Sequence, residues 1–166
     1  MRFGGVKLTV SACATLMLFA SMGSANAAKI QHFQDDICRK QTRLQERTLR
    51  VPDHLLTAIS LAETGRWVPE RKAMFAWPWT VTAKGKGTFY ETKEEAIKAV
   101  QSLQKKGVKS IDVGCMQINL LYHPRAFSTL EDAFSPESNV AYASQFLGQL
   151  QDQTQSWQTA AAHYHS

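Results

Sequence analysis

The chain has 166 residues, about one domain's worth and enough for a single packed core. Its formal net charge of +5 gives a mild positive field suited to an anionic polymer or surface. No basic stripe with interleaved aromatic residues argues for nucleic acid.

Arg2 and Lys7 open the chain with positive charge, Leu8 to Ala20 is apolar or small without a charge, and Ala25, Asn26 and Ala27 fit a small-x-small cleavage pattern. The expectation is a secretory signal over 1–27 and an exported mature chain over 28–166, periplasmic or wall-associated. A membrane span is the alternative, but the run falls short of the ~20 residues needed and Ser11, Thr15 and Ser21 dilute it. Val10 to Cys13 resembles a lipoprotein signal only faintly, because the apolar stretch continues past the cysteine. Loss of Arg2 and Lys7 takes the net charge from +5 down by two, to +3. The other basic residues read as scattered. Arg39, Lys40, Arg43, Arg47 and Arg50 fall on a predicted helix, and Lys84, Lys86, Lys105, Lys106 and Lys109 near turns; solvated faces are an equal reading.

Cleavage also removes Cys13 and leaves Cys38 and Cys115. An even pair in an exported chain reads as one disulfide, closing a loop worth roughly 4 to 5 kcal/mol in the chain-entropy account. Two buried free thiols are the alternative.

Ile30, Phe33, Ile37 and Leu44 recur near helical spacing and predict a helix from the early thirties to the late forties. Val51 and Pro52 interrupt it, and Pro52 at a first-turn position starts a second helix ending near Gly65. From Trp77 the period changes to two: Trp77, Trp79 and Val81 alternate with Pro78, Thr80 and Thr82. A turn over Lys84 to Gly87 then leads to Thr88, Phe89 and Tyr90, so the segment to Glu91 is a β-hairpin. The two glycines in KGKG serve that turn, since no strand, glycine loop and helix follow in the order a phosphate loop needs. Tryptophans on one hairpin face could stack on flat ligands such as sugar rings, but more often such a face covers a core. Thr92 and Glu95 form a capping box before Ala96, Ile97, Val100 and Leu103, and Gly107 closes that helix. Ser135 and Pro136 start another, with Val140, Ala143, Phe146, Leu147 and Leu150 on one face. A last helix carries Trp157, Ala160, Ala161 and Tyr164. No repeat, low-complexity block or linker divides the region, so the fold class is α+β, predominantly helical, with a small β-hairpin.

In the second helix, Leu56, Ile59 and Glu63 share one stripe flanked by Leu55 and Ala62. A carboxyl group there must be paired, solvated by a cleft or kept neutral. Partial burial and the negative end of the helix dipole both raise its pKa above about 4.3. A glutamic acid still protonated near neutral pH is what a glycosidase needs to protonate a leaving sugar oxygen. The structural alternative is a pair with Arg66 or a side chain frayed outward.

Two further stretches extend this reading. Glu63, Thr64 and Gly65, then Gly114, Cys115, Met116 and Gln117 followed by Ile118 and Asn119, then Ala162, His163, Tyr164 and His165, occur in that order. They resemble the Glu-Ser with a nearby Gly, the Gly-Leu-Met-Gln and the Ala-Tyr-Asn motifs of soluble-type lytic transglycosylases in the lysozyme-like superfamily. The likeness covers Val51 to Ser166. Thr64 stands for Ser, Cys115 for Leu, where it could join the disulfide, and His165 for Asn. The chain stops at the third motif, as a C-terminally truncated product would.

The resemblance implies a lysozyme-like domain with Glu63 as sole general acid and then base. It implies Thr64 keeping the hydroxyl's role, Gln117 and Asn119 lining a sugar groove, Met116 as its floor and Tyr164 hydrogen-bonding near the reacting centre. Core roles are the alternative for Met116 and Tyr164. The implied substrate is peptidoglycan glycan, cut between N-acetylmuramic acid and N-acetylglucosamine to leave a 1,6-anhydro end. No metal or cofactor is called for, and a secretion or conjugation apparatus is a possible partner. A lysozyme-type hydrolase would need a second carboxylate, for which Asp112 and Glu70 are the candidates. A non-catalytic wall-binding component of a secretion apparatus is the rival of another class. His163 and His165, two apart with no His-Glu-x-x-His or Cys-x-x-Cys frame, lack metal-ligand spacing.

Overall fold

The computed structural model describes residues 36–165, so the signal read over 1–27, and Ile30 and Phe33 of the first predicted helix, lie outside the described residues. Helix α1 runs over 36–49 and turns Cys38, Thr42 and Glu46, one helical turn apart, into the interior. Glu46 is only 4% exposed because its carboxyl has partners on the next helix. Its Oε1 accepts from the Thr57 amide at 2.9 Å and from the Thr57 hydroxyl at 3.1 Å.

That contact bears on where α2, Leu55–Thr64, begins. Pro52 was expected in its first turn, yet the helix starts three residues later, behind His54 in the left-handed region at φ 67° with no side-chain cap. Glu46 supplies the missing acceptor from a neighbouring helix, satisfying the orphan amide of the third residue of α2. The buried line of α2 is Leu56, Ser60 and Thr64, not Leu56, Ile59 and Glu63. Two hydroxyls tolerate that burial because each has a carbonyl to bond.

Strands β1, Gly65–Val68, and β2, Ala73–Ala76, follow as an antiparallel ribbon that the sequence did not announce. A 3-10 turn over Pro69–Arg71 joins them. The expected hairpin is present but shorter, β3 Thr80–Ala83 against β4 Lys86–Phe89. Lys84 and Gly85 at its tip have φ 53° and 73°, the two positive values of a type I′ turn whose twist matches the strands. Trp77 and Trp79 precede the hairpin and are 0% and 9% exposed, so both cover a core. The Trp77 Nε1 donates to the Tyr90 carbonyl at 2.6 Å. Two further strands, β5 Ile111–Val113 and β6 Ile118–Asn119, extend the sheet in the order β4-β3-β5-β6.

Helix α3, Lys93–Lys105, has the predicted start: Thr92 Oγ1 accepts from the Glu95 amide, and Glu95 reaches back to the Glu91 amide. Its end is a Schellman arrangement, with Gly107 at φ 79° and the Val108 amide donating to Leu103. Short α4, Leu130–Ala133, capped by Thr129, leads to α5, Pro136–Thr154, capped by Ser135, and to α6, Trp157–Tyr164, capped by Ser156. On α5, Val140, Ala143 and Leu147 are buried as read from the sequence, whereas Phe146 is only partly covered.

The described residues are thus α+β, dominated by helices with small antiparallel sheets. One core joins α1, α2, α5 and α6 through Cys38, Leu56, Met116, Val140 and Leu147; a second lies between α3 and the four-stranded sheet around Trp77, Val100 and Ile111. No helix among the described residues is long and apolar enough to cross a membrane.

Cys38 and Cys115 are joined as a disulfide, with Cα atoms 5.6 Å apart. Closing a loop across a separation of 77 residues removes unfolded-state entropy worth about 4.5 kcal/mol. The double change Cys38→Ser and Cys115→Ser should lower the urea-unfolding free energy by about 4 to 5 kcal/mol, read from the shift of the denaturation midpoint. A loss below about 1 kcal/mol would contradict the entropic account.

Candidate active site

The loop between β5 and β6 organises the site. Gly114 has φ 81°, and a Cβ there would collide with the Asn139 amide, so both the backbone angle and the close approach require glycine. Each of the next residues is tied to a different helix. Cys115 is bonded to Cys38 of α1, and its carbonyl accepts from Ser60 at 2.9 Å and Thr64 at 3.1 Å on α2. The Met116 amide donates to Asn139 Oδ1 of α5 at 2.9 Å, and its carbonyl accepts from the Tyr164 hydroxyl of α6 at 2.8 Å. Asn139 completes the cradle by donating to the Val113 and Ala133 carbonyls.

A groove of about 620 Å³ opens beside this loop. Glu63, Asp112, Gln117, Asn119, Tyr164 and His165 line it together with Tyr122, His123 and Phe146. Glu63, next to last in α2, sits on the border between core and groove, and its side chain is 14% exposed. It neither pairs with Arg66 nor frays outward. Arg66 instead bonds Glu91 at 3.0 Å and lies 4.3 Å over the Trp77 ring. The Glu63 partner is His165, whose Nδ1 is 2.9 Å from Oε1. Burial pushes the Glu63 pKa above its ordinary value; His165 opposes that, and the negative charge of Asp112 adds to it.

Asp112 is the carboxylate of the second residue in β5, opposite Asn119 of β6 in the ladder. Burial raises its pKa too, against the Asn119 hydrogen bond and the charge of His165. Asn119 donates from Nδ2 to Asp112 Oδ1 at 2.8 Å and to Ser110 at 2.9 Å, while its Oδ1 accepts from the Leu121 and Tyr122 amides. Its amide is fully engaged, so it positions Asp112 and the following loop. Gln117, at φ 48°, donates to the Thr80 and Gly114 carbonyls, and its buried Oε1 has no hydrogen-bond partner among the described residues. An unpartnered buried oxygen of this kind is uncommon in a folded protein, and it lies at the edge of the groove that Gln117 lines.

The residues expected from sequence therefore separate. Glu63, Gln117, Asn119 and Tyr164 converge on the groove, whereas Thr64 and Met116, 1% and 0% exposed, do not line it and brace the loop instead. Tyr164 does both: it lines the groove while its hydroxyl donates inward, and burial, then the nearby Glu63 and Tyr142, hold its pKa well above the usual value. It is a fixed neutral donor. Glu70 lies exposed in the 3-10 turn, outside the groove lining. Among the described residues no three His, Cys, Asp or Glu side chains converge to hold a metal ion.

Sequence reasoning missed Asn139, although an asparagine beside Val140 on the buried face of α5 carries the same signal that singled out Glu63. It also missed His123, whose Nδ1 is 2.9 Å from the Tyr142 hydroxyl and whose pKa burial lowers; a histidine in an irregular loop gives no periodic signal. Chemically, the groove offers two carboxyl groups, Glu63 and Asp112, both with pKa values raised by burial. The chain matches no family model, no curated protein and no solved structure.

Asn139→Ala would leave the Met116 amide and two carbonyls without partners and should cost about 3 kcal/mol or more, each stranded buried group being worth about 1 to 3. Chemical denaturation measures it, and a loss under about 1 kcal/mol would deny the cradle its role. For Glu63 the sign follows from its raised folded pKa. The folded state binds the extra proton between the ordinary carboxyl value of 4.5 and its own raised value, so stability conferred by that proton is lost as pH rises through the window. Glu63→Gln should flatten this part of the melting-temperature profile and be more stable than the parent at neutral pH.

Proposed function

We propose that the chain is a peptidoglycan lytic transglycosylase with a lysozyme-like domain, acting on glycan strands after export. It would cleave the β-1,4 bond between N-acetylmuramic acid and N-acetylglucosamine and leave a 1,6-anhydromuramyl end. The observation that carries this reading is Glu63: a helix-end carboxyl, largely shielded, with its pKa raised by burial, facing a groove of about 620 Å³.

A protonated Glu63 donates to the glycosidic oxygen as the bond breaks, and positive charge develops at the muramyl anomeric carbon. The ionised carboxylate then accepts the proton of the sugar's own C6 hydroxyl as that oxygen attacks. Because the nucleophile is tethered, high effective molarity replaces the carboxylate that would otherwise direct water. Gln117 lines the groove, and Tyr122, 75% exposed, offers a ring for stacking on a sugar. Partnership with a secretion or conjugation apparatus is compatible with this chemistry.

Asp112 favours a second reading, a hydrolytic muramidase. It lines the same groove, and its charge acts on Glu63, as a base or nucleophile opposite the acid would.

Mass spectrometry of digested intact peptidoglycan separates the two. Transglycosylation gives products one water lighter than hydrolysis. Glu63→Gln should reduce turnover roughly 10²- to 10⁴-fold while wall binding persists, and activity should fall as pH rises through the Glu63 pKa, where the acid loses its proton. Asp112→Asn should leave anhydro products forming; hydrated ends that vanish with this change would establish the muramidase instead. Undiminished clearing by Glu63→Gln would end both readings.

A further inference from the structure

The positive charge of this protein is not dispersed. Residues 51–165 carry 11 Lys and Arg against 11 Asp and Glu, whereas residues 36–50 carry five against two. All of the net charge of the described residues therefore sits on α1 and its last turn. The two acids of that segment do not face the stripe freely. Asp36 is held by Arg39 at 2.6 Å and Arg71 at 3.1 Å, and Glu46 is turned inward to Thr57.

What remains outward is Lys40, Arg43, Arg47 and Arg50, all exposed. Lys40, Arg43 and Arg47, three and four residues apart, share one face of α1, and Arg50 follows in the turn just past its end at φ 54°. The three helical cations span about 10 Å of helix axis. None forms an ion pair among the described residues. Leu44, 46% exposed, flanks the stripe midway along it. The segment has no aromatic residue, so it lacks the stacking platform that single-stranded nucleic acid or sugar rings would use. A row of unpaired cations beside an exposed leucine suits an anionic surface, where phosphates meet the cations and the leucine reaches headgroup depth.

We propose that the outward face of α1 docks the protein on an anionic phospholipid bilayer. The charge of four basic side chains supplies the attraction, and docking is independent of the reaction at Glu63.

The test is co-sedimentation of the full chain with phosphatidylcholine vesicles and with vesicles of a two-to-one mixture with phosphatidylglycerol. Binding should be stronger to the anionic vesicles and should fall between ~0.1 and ~1 M salt, as the Debye length shrinks from ~10 to ~3 Å. Joint change of Lys40→Gln, Arg43→Gln, Arg47→Gln and Arg50→Gln should weaken partitioning on the order of a hundredfold or more. A control with Lys105→Gln, Lys106→Gln and Lys109→Gln should bind like the parent. Equal binding to both vesicle types, an equal loss in the control, or retention on purified wall or duplex DNA in place of vesicles would overturn the proposal. Two paired changes, Lys40→Gln with Arg43→Gln and Arg47→Gln with Arg50→Gln, should each weaken partitioning by about tenfold or more, so the assignment to α1 is decided even if the fourfold variant fails to fold.

Discussion

The carbonyl of Cys115 accepting two hydroxyls from α2 is the contact on which the rest of the site depends. It fixes the turn Gly114 to Gln117 against the helix that carries Glu63, through Ser60 and Thr64. The same turn is fastened to α1 by sulfur, to α5 by Asn139 and to α6 by Tyr164. A buried backbone with positive φ at both ends would be poorly held by packing alone, since its polar groups face a dry interior. Here the Cys115 carbonyl and both backbone groups of Met116 have side-chain partners on three helices. The position of the groove lining relative to Glu63 is thereby set by four hydrogen bonds and one covalent link rather than by loop preference.

This clasp explains why Thr64 and Met116 do not line the groove. Thr64 spends its hydroxyl on Ser60 and Cys115, and Met116 offers its backbone to α5 and α6 while its side chain fills a core. A motif conveys which residue types sit near a catalytic group, but not whether each faces the ligand or braces the residue that does. Only Gln117 and Asn119 in that stretch reach the groove, and Asn119 is saturated by Ser110, Asp112 and two amides.

Features legible in the sequence share one property: their cause lies within a few residues of their effect. The capping box at Thr92, the Gly107 terminus, the Ser135-Pro136 start and the turn at Lys84-Gly85 all depend on local backbone groups and were readable for that reason. The disulfide was readable because only two cysteines remain once Cys13 is set aside. Illegible features depend on distant partners. The start of α2 is governed by Glu46 on another helix. Strands of two or three residues such as β5 and β6 are too short to show alternation, and in the β1–β2 ribbon the apolar Trp67 and Met74 are exposed. The stripe of α2 was misread because Ser60 and Thr64 look polar while their carbonyl partners make them interior.

That misreading alters what Glu63 is. On the centre of a buried stripe its carboxyl would have needed an ion pair or a permanent proton. One position around the helix, at the margin of the groove, the penalty for ionisation is partial. Burial raises the pKa, Asp112 raises it further, and His165, itself 82% exposed, pulls it back. The proposed role of Glu63 as acid and then base calls for a group whose pKa is moved in opposite directions in this way. A fully buried carboxyl would keep its proton too firmly and an exposed one would not hold it. The anchored loop keeps Asp112 near enough to matter, because β5 and β6 continue directly from it on both sides.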